Sequence, residues 1–132
     1  MPLRKNLADL ADEARRHVPE IDVDELPDEH EGALILDVRE SDERARGAIP
    51  GSVHIPRGVI ERDIERIAFG GKVSDKDLDR PIVCYCGGGH RSLLAARTLQ
   101  EMGFTNVVSL AGGFRAYGES GRPVDIDRNA QR

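Results

Sequence analysis

Apolar residues at Leu3, Leu7, Leu10, Ala14 and Val18 recur every three or four positions with charged residues between them. That spacing predicts an amphipathic helix over Leu3 to Val18, ending before Pro19. Ile21-Asp22-Val23 suits a short strand, and Asp22 with Glu25 three residues on has the form of a capping box opening a brief second helix. The pattern then changes. Ala33-Leu34-Ile35-Leu36-Asp37-Val38 is almost continuously apolar between Gly32 and Arg39, as in a strand buried on both faces of a parallel sheet. Ser41 is placed to cap a short helix over Asp42 to Arg46 that Gly47 ends. Ala48-Ile49-Pro50-Gly51 is a turn, and Val53 to Ile55 a short strand before Pro56.

Val59, Ile60, Ile64 and Ile67 fall on one helical face that Gly70-Gly71 stops, and the polar stretch Ser74 to Arg80 reads as loop with some helix. Ile82-Val83-Cys84-Tyr85, introduced by Pro81, is a second buried strand, broken by Gly87-Gly88-Gly89. A helix follows over Ser92 to Met102, with Leu94, Ala95, Leu99 and Met102 inward and Gly103 as its stop. Val107 to Leu110 is another strand, Gly112-Gly113-Phe114 leads into a short helix reaching Tyr117, and Glu119 to Arg132 reads as a loosely held tail. Strands alternating with helices imply an α/β fold, a parallel sheet wrapped on both faces, with ligands beyond the carboxyl ends of the strands. The pattern alone leaves the strand order open.

Composition narrows the function classes. The chain has 132 residues, the size of one domain, with 39% hydrophobic and 33% charged residues and a formal net charge of -5. The acidic balance argues against nucleic acid or an anionic membrane surface as partner. The charged N-terminus has no signal-like apolar region, and the longest apolar run, Ala33 to Leu36, is far too short to span a bilayer. Cys84 and Cys86 are the only cysteines. They make no disulfide framework, and two residues apart on a strand they are poorly placed to bridge each other, so a reducing cytoplasm is the expected compartment.

The chemistry concentrates in Cys86-Gly87-Gly88-Gly89-His90-Arg91-Ser92, between a buried strand and a helix. Glycines let the backbone turn so that its amides face inward as an anion nest, and the helix beginning near Ser92 adds free N–H groups and its positive end. Cys86, expected at the mouth of this bowl, would be favoured as thiolate and serve as a nucleophile. Cys84, inside the strand, reads as a small core residue, with a redox or resolving role as the alternative. A zinc reading of Cys84, Cys86 and His90 lacks a fourth ligand and paired spacings, so no metal is expected.

Cys86, Gly89, Arg91 and Ser92 fill a Cys-x-x-Gly-x-Arg-Ser pattern that resembles the active-site loop of rhodanese-domain sulfurtransferases. Two further stretches agree. Leu36-Asp37-Val38-Arg39-Glu40 with Glu43 and Gly47 to Pro56 resembles the family's N-terminal signature. Val107 to Phe114 resembles its C-terminal one, with Tyr117 where a Trp is usual. The resemblance implies a rhodanese-like three-layer fold with a central parallel sheet of about five strands and helices on both faces. It divides the chain into an N-terminal helical extension (1–19), the rhodanese domain (20–124) and a flexible tail (125–132). It also implies that Cys86 takes sulfur from a small-molecule donor such as thiosulfate, becomes a persulfide, and passes the sulfur to cyanide, another thiol or a protein thiol, with no cofactor. Amides of Gly87, Gly88, Gly89, His90 and Arg91 would stabilise the persulfide anion, and the Arg91 guanidinium could bind a donor oxyanion.

His90 either adds charge to the loop or fills a variable, solvent-facing position. Asp37 and Arg39 either orient Arg91 or the loop backbone, or form a structural ion pair or a capped turn. His54 reads as a strand-end structural residue, and His17 and His30 as surface ones. The N-terminal helix can pack on its own domain, which is the favoured reading, or pair with another copy or a partner protein. Two functional rivals remain: a sulfur-carrier or regulatory module serving only a docked protein, and a phosphatase or arsenate reductase of related fold. The latter resemble this design but use Cys-x5-Arg, whereas four residues separate Cys86 from Arg91 here.

Overall fold

Each apolar run becomes a strand because both of its faces are covered. In the computed structural model, which describes residues 2–26 and 32–126, five strands form one parallel sheet. They are β1 (Glu20–Ile21), β2 (Leu34–Asp37), β3 (Val53–His54), β4 (Ile82–Tyr85) and β5 (Val107–Leu110), in the order β1-β5-β4-β2-β3. Strand β4 is central, with Cys84 in register with Leu36 of β2 on one side and Ser109 of β5 on the other.

Alternate residues of β2 and β4 face opposite cores. Leu34, Leu36, Ile82 and Cys84 pack with α1 (Leu7–Arg15) and α4 (His90–Met102) on one face. Ile35, Val83 and Tyr85 pack with Tyr117 of α5 (Gly113–Glu119) on the other. These are the helices on both faces that the sequence implies.

Several element limits differ from the sequence reading, each for a local reason. Helix α1 starts at Leu7 because Asn6 and Asp9 form a capping box, each side chain accepting from the other's backbone N–H at 2.9 Å. Ala11, Ala14 and Val18 pack inward, while Leu3, outside the helix, is 79% exposed. The helix thus packs on its own domain, against α4. Asp22 and Glu25 do form the expected capping box, opening a 3-10 turn over Val23–Glu25.

Helix α2 (Ser41–Ala45) begins one residue earlier than expected. Glu40, not Ser41, is its N-cap residue, and its carbonyl accepts from Glu43 and Arg44. The helix expected after Val59 is only partly α-helical. After α3 (Ile60–Asp63) the chain widens into a π turn over Ile64–Ala68, which keeps Ile64 buried but turns Ile67 outward.

Helix α4 starts at His90, two residues early, and its buried stripe is Ser92, Leu93, Ala95, Ala96 and Leu99. Met102, expected inward, is 41% exposed, and Leu94 is half-buried. The polar Ser92 takes an inward place. Past α5 the chain is fastened as far as Asp125: the Tyr117 hydroxyl donates to Pro123 O at 2.5 Å, and Asp125 exchanges two backbone hydrogen bonds with Ala48. The expectations for His30 and for residues 127–132 lie outside the described residues.

Candidate active site

Strand β4 delivers Cys86 to the carboxyl edge of the sheet, where the chain must reverse into α4. Gly89 makes the reversal in the left-handed region, at φ 104°, as the N-cap residue of α4. The loop is backed by the start of α5. Phe114 N–H donates to Cys86 O at 2.7 Å and Arg115 N–H to Gly87 O at 3.1 Å. This approach requires Gly113, at φ 56°. A Cβ there would lie 2.7 Å from Gly87 O and closer still to Cys86 O.

With the carbonyls of Cys86 and Gly87 drawn to α5, N–H groups turn toward the sulfur. Gly89 N–H donates to Cys86 Sγ at 3.1 Å and Ser92 N–H at 3.4 Å, at the positive end of α4. The thiol donates to Ser92 Oγ at 3.4 Å, and Ser92 Oγ is 2.8 Å from Ser109 Oγ of β5. The sulfur therefore sits at the floor of the bowl rather than at its mouth, and Cys86 is 1% exposed. The loop amides that hold it also cover it. Gly88 is exposed, and a side chain there would meet open space.

Among the described residues no hydrogen bond joins Arg91 to the sulfur. Its guanidinium forms a bidentate pair with Glu43 of α2, Nη1 to Oε1 at 2.7 Å and Nη2 to Oε2 at 2.9 Å. Both partners are partly exposed, and the pair lies over Gly87, where a Cβ would be 3.1 Å from Arg91 Nη2. Hydrogen bonding to Arg91 holds the Glu43 carboxyl below its usual value against an opposing effect of burial. Arg91 is raised in turn, chiefly by its hydrogen bonds to Glu43. His90 is exposed on the first turn of α4.

Asp37 and Arg39 lie in a buried network of their own. Arg39 Nε and Nη2 donate to the two Asp37 oxygens at 3.0 and 2.9 Å. Arg44 Nη1 and the Tyr85 hydroxyl donate to Asp37 Oδ2 at 3.2 and 3.0 Å. Arg39 Nη2 donates to Gly47 O at 2.7 Å, and its guanidinium stacks 4.3 Å over Phe114. Burial pushes the Asp37 carboxyl up, but the Arg39 and Arg44 hydrogen bonds outweigh it and leave the group low. Among the described residues no hydrogen bond joins this pair to Arg91. Asp37 and Arg39 instead brace Tyr85, which precedes Cys86, and Phe114, which holds its carbonyl. The ring of His54 bonds Arg39 O at 2.7 Å, a strand-end contact.

Cys84 is fully buried, and burial pushes its thiol far up, with Cys86 adding to the rise. Two residues of the site stand outside the group predicted from sequence. Glu43 appeared only as part of a signature. Ser109 carried a readable signal, a lone hydroxyl in an apolar strand. No group of three or more His, Cys, Asp or Glu side chains among the described residues is arranged to hold a metal ion. No helix among them is long and apolar enough to cross a membrane.

Comparison with known proteins places this arrangement among relatives. The Rhodanese-like domain family matches residues 22–120. The thiosulfate sulfurtransferase GlpE of Stutzerimonas stutzeri is 33% identical over 101 residues, covering 76% of this chain and 84% of that protein. A Bacillus subtilis protein, YrkF, provisionally described as a sulfur carrier, is 34% identical over 103 residues, 76% of this chain, and the match spans only 51% of its length. Among solved structures, a Rhodopseudomonas palustris protein described as a possible tyrosine phosphatase superposes with a TM-score of 0.80 at 30% identity, covering 95% of this chain and 98% of that one.

Proposed function

We propose that this chain, which belongs to the rhodanese-like domain family, moves sulfane sulfur from a donor to a thiophilic acceptor through a persulfide on Cys86. At the level of the family it is a sulfurtransferase. The observation that carries the finer reading is the convergence of the Gly89 and Ser92 N–H groups on Cys86 Sγ. Preorganised donors of this kind favour an anion on sulfur, whether thiolate or persulfide, over the neutral thiol.

The proposed chemistry has two steps. The Cys86 thiolate attacks the outer sulfur of a donor such as thiosulfate. Its lone pair makes the new S–S bond, and the electrons of the old bond leave with sulfite. An acceptor nucleophile, cyanide or a thiol, then takes the outer sulfur and returns Cys86 as thiolate. Ser92, held by Ser109, supplies a hydroxyl to the sulfur, and the loop of Gly87, Gly88, Gly89 and His90 forms the wall of the bowl. Neither step calls for a metal or organic cofactor, and the cytoplasm, with its thiol acceptors, is the proposed compartment.

A carrier reading, in which the sulfur passes only to a docked protein thiol, draws support from the near-complete burial of Cys86 and the description of the Bacillus subtilis relative. Turnover with cyanide against transfer to protein thiols separates the two. Phosphoryl chemistry is disfavoured by the four-residue spacing and by an Arg91 guanidinium turned to Glu43. Incubation with thiosulfate is expected to add the mass of one sulfur atom to the peptide containing Cys86, and Cys86→Ser to abolish the addition. A label found on Cys84, or phosphate-ester hydrolysis that requires Cys86 with no sulfur uptake, would overturn this assignment.

A further inference from the structure

A guanidinium at the mouth of the bowl would favour a dianionic donor, and the one on the loop, Arg91, is already occupied. Glu43 fills both prongs of the Arg91 fork, and the pair rests on the loop backbone over Gly87. The carboxylate is held there from below. The Glu43 N–H is anchored on Glu40 O, and its own carbonyl accepts from the buried Arg39 at 3.5 Å. Glu40 lies near enough to add a second negative charge felt by Arg91.

The other guanidiniums nearby are engaged elsewhere. Arg39 and Arg44 are committed to Asp37, and the Arg115 side chain stands in solvent 3.5 Å from Glu119. The guanidinium charge at the mouth is thus cancelled by Glu43 before Cys86 ionises. Thiosulfate, with two negative charges, must take Arg91 from Glu43 or approach an anionic sulfur without a counter-charge.

We propose that Glu43 is a specificity residue: by occupying Arg91 it disfavours dianionic donors and selects persulfides carried on thiols. This rests on the sulfur-transfer reading above. Such a donor, R–S–SH, carries at most one charge on its sulfurs and needs no guanidinium. The Cys86 thiolate attacks the outer sulfur and forms the new S–S bond. The donor's own S–S bond breaks with its electron pair leaving on R–S⁻, the proton stays on the transferred sulfur, and nothing is oxidised or reduced overall.

The test is the rate of sulfur loading on Cys86, followed by intact mass, with thiosulfate and with cysteine persulfide. The unaltered protein is expected to prefer cysteine persulfide. In Glu43→Gln the ratio of kcat/KM for thiosulfate to that for cysteine persulfide should rise about 10-fold, mainly through a lower KM for thiosulfate, as expected for removal of one nearby charge in a half-exposed site. Adding Arg91→Met to Glu43→Gln should erase that gain, which a merely structural role for Glu43 does not predict. An unchanged or lower ratio in Glu43→Gln, or a gain that survives without Arg91, overturns the proposal. Absence of sulfur on Cys86 with both donors in the unaltered protein sinks the sulfur-transfer reading itself, and the proposal with it.

Discussion

Two cysteines two residues apart have opposite surroundings. Cys84 lies in the apolar core, where burial first and Cys86 second push its thiol up, whereas Cys86 meets two N–H groups and a hydroxyl. Cys84→Ala is expected to cost about 1–2 kcal/mol of stability in urea unfolding, with sulfur uptake per folded molecule retained. Ser109 works through Ser92 as a positioning residue. Ser109→Ala should slow sulfur loading of Cys86 by about 2- to 10-fold at neutral pH, because the Ser92 hydroxyl loses its orienting partner, and Ser109→Thr should restore it. An unchanged loading rate would show that the hydroxyl pair does not act on the sulfur. Cys86, Gly89 and Ser92 could be read from sequence because their glycines and polar atoms lie in one loop. Glu43 and Ser109 reach the site from 48 and 17 positions away from their partners, a closeness that only the folded chain creates.

Among the elements, strands were easier to read than helix faces. A strand buried on both sides writes a continuous apolar run, so β2, β4 and β5 appear in sequence almost residue for residue. Helix phase depends on which polar residues the fold brings inside. Ser92 turns inward to the sulfur and Ser109, and the π turn after α3 rotates Ile67 out, two effects that apolar periodicity does not encode. The start of α5 is the element most sensitive to a single methyl group. Gly113→Ala places a Cβ against the carbonyls of Cys86 and Gly87 at a positive φ. It is expected to cost about 3 kcal/mol or more, with loss of sulfur loading. Gly118→Ala on the same helix, where the added atom meets open space, should change stability by no more than about 1 kcal/mol. Urea denaturation of the two variants side by side checks this.

For the molecule as a whole, the buried Asp37–Arg39–Arg44–Tyr85 network ties the ends of β2 and β4 to α2 and α5. The Asp37 carboxyl is held low in the folded state, so its contribution is complete above the ordinary carboxylate range and disappears as pH falls through the lowered value. Glu43 acts in the same direction. The urea midpoint should therefore be flat near neutrality and fall in acid. Asp37→Asn should lower stability at neutral pH by about 3–5 kcal/mol, because it leaves buried Arg39 without its counter-charge, and should flatten the acid limb. A variant that keeps the steep limb would assign it to other carboxylates. The hydrogen bonds from Phe114 and Arg115 to the loop carry one more consequence, for synthesis. A ribosome completes Cys86 while the stretch that must brace it is still untranslated. The cradle can close only after α5 has left the exit tunnel, so a chain stalled before then carries its cysteine in a loop whose carbonyls are not yet braced.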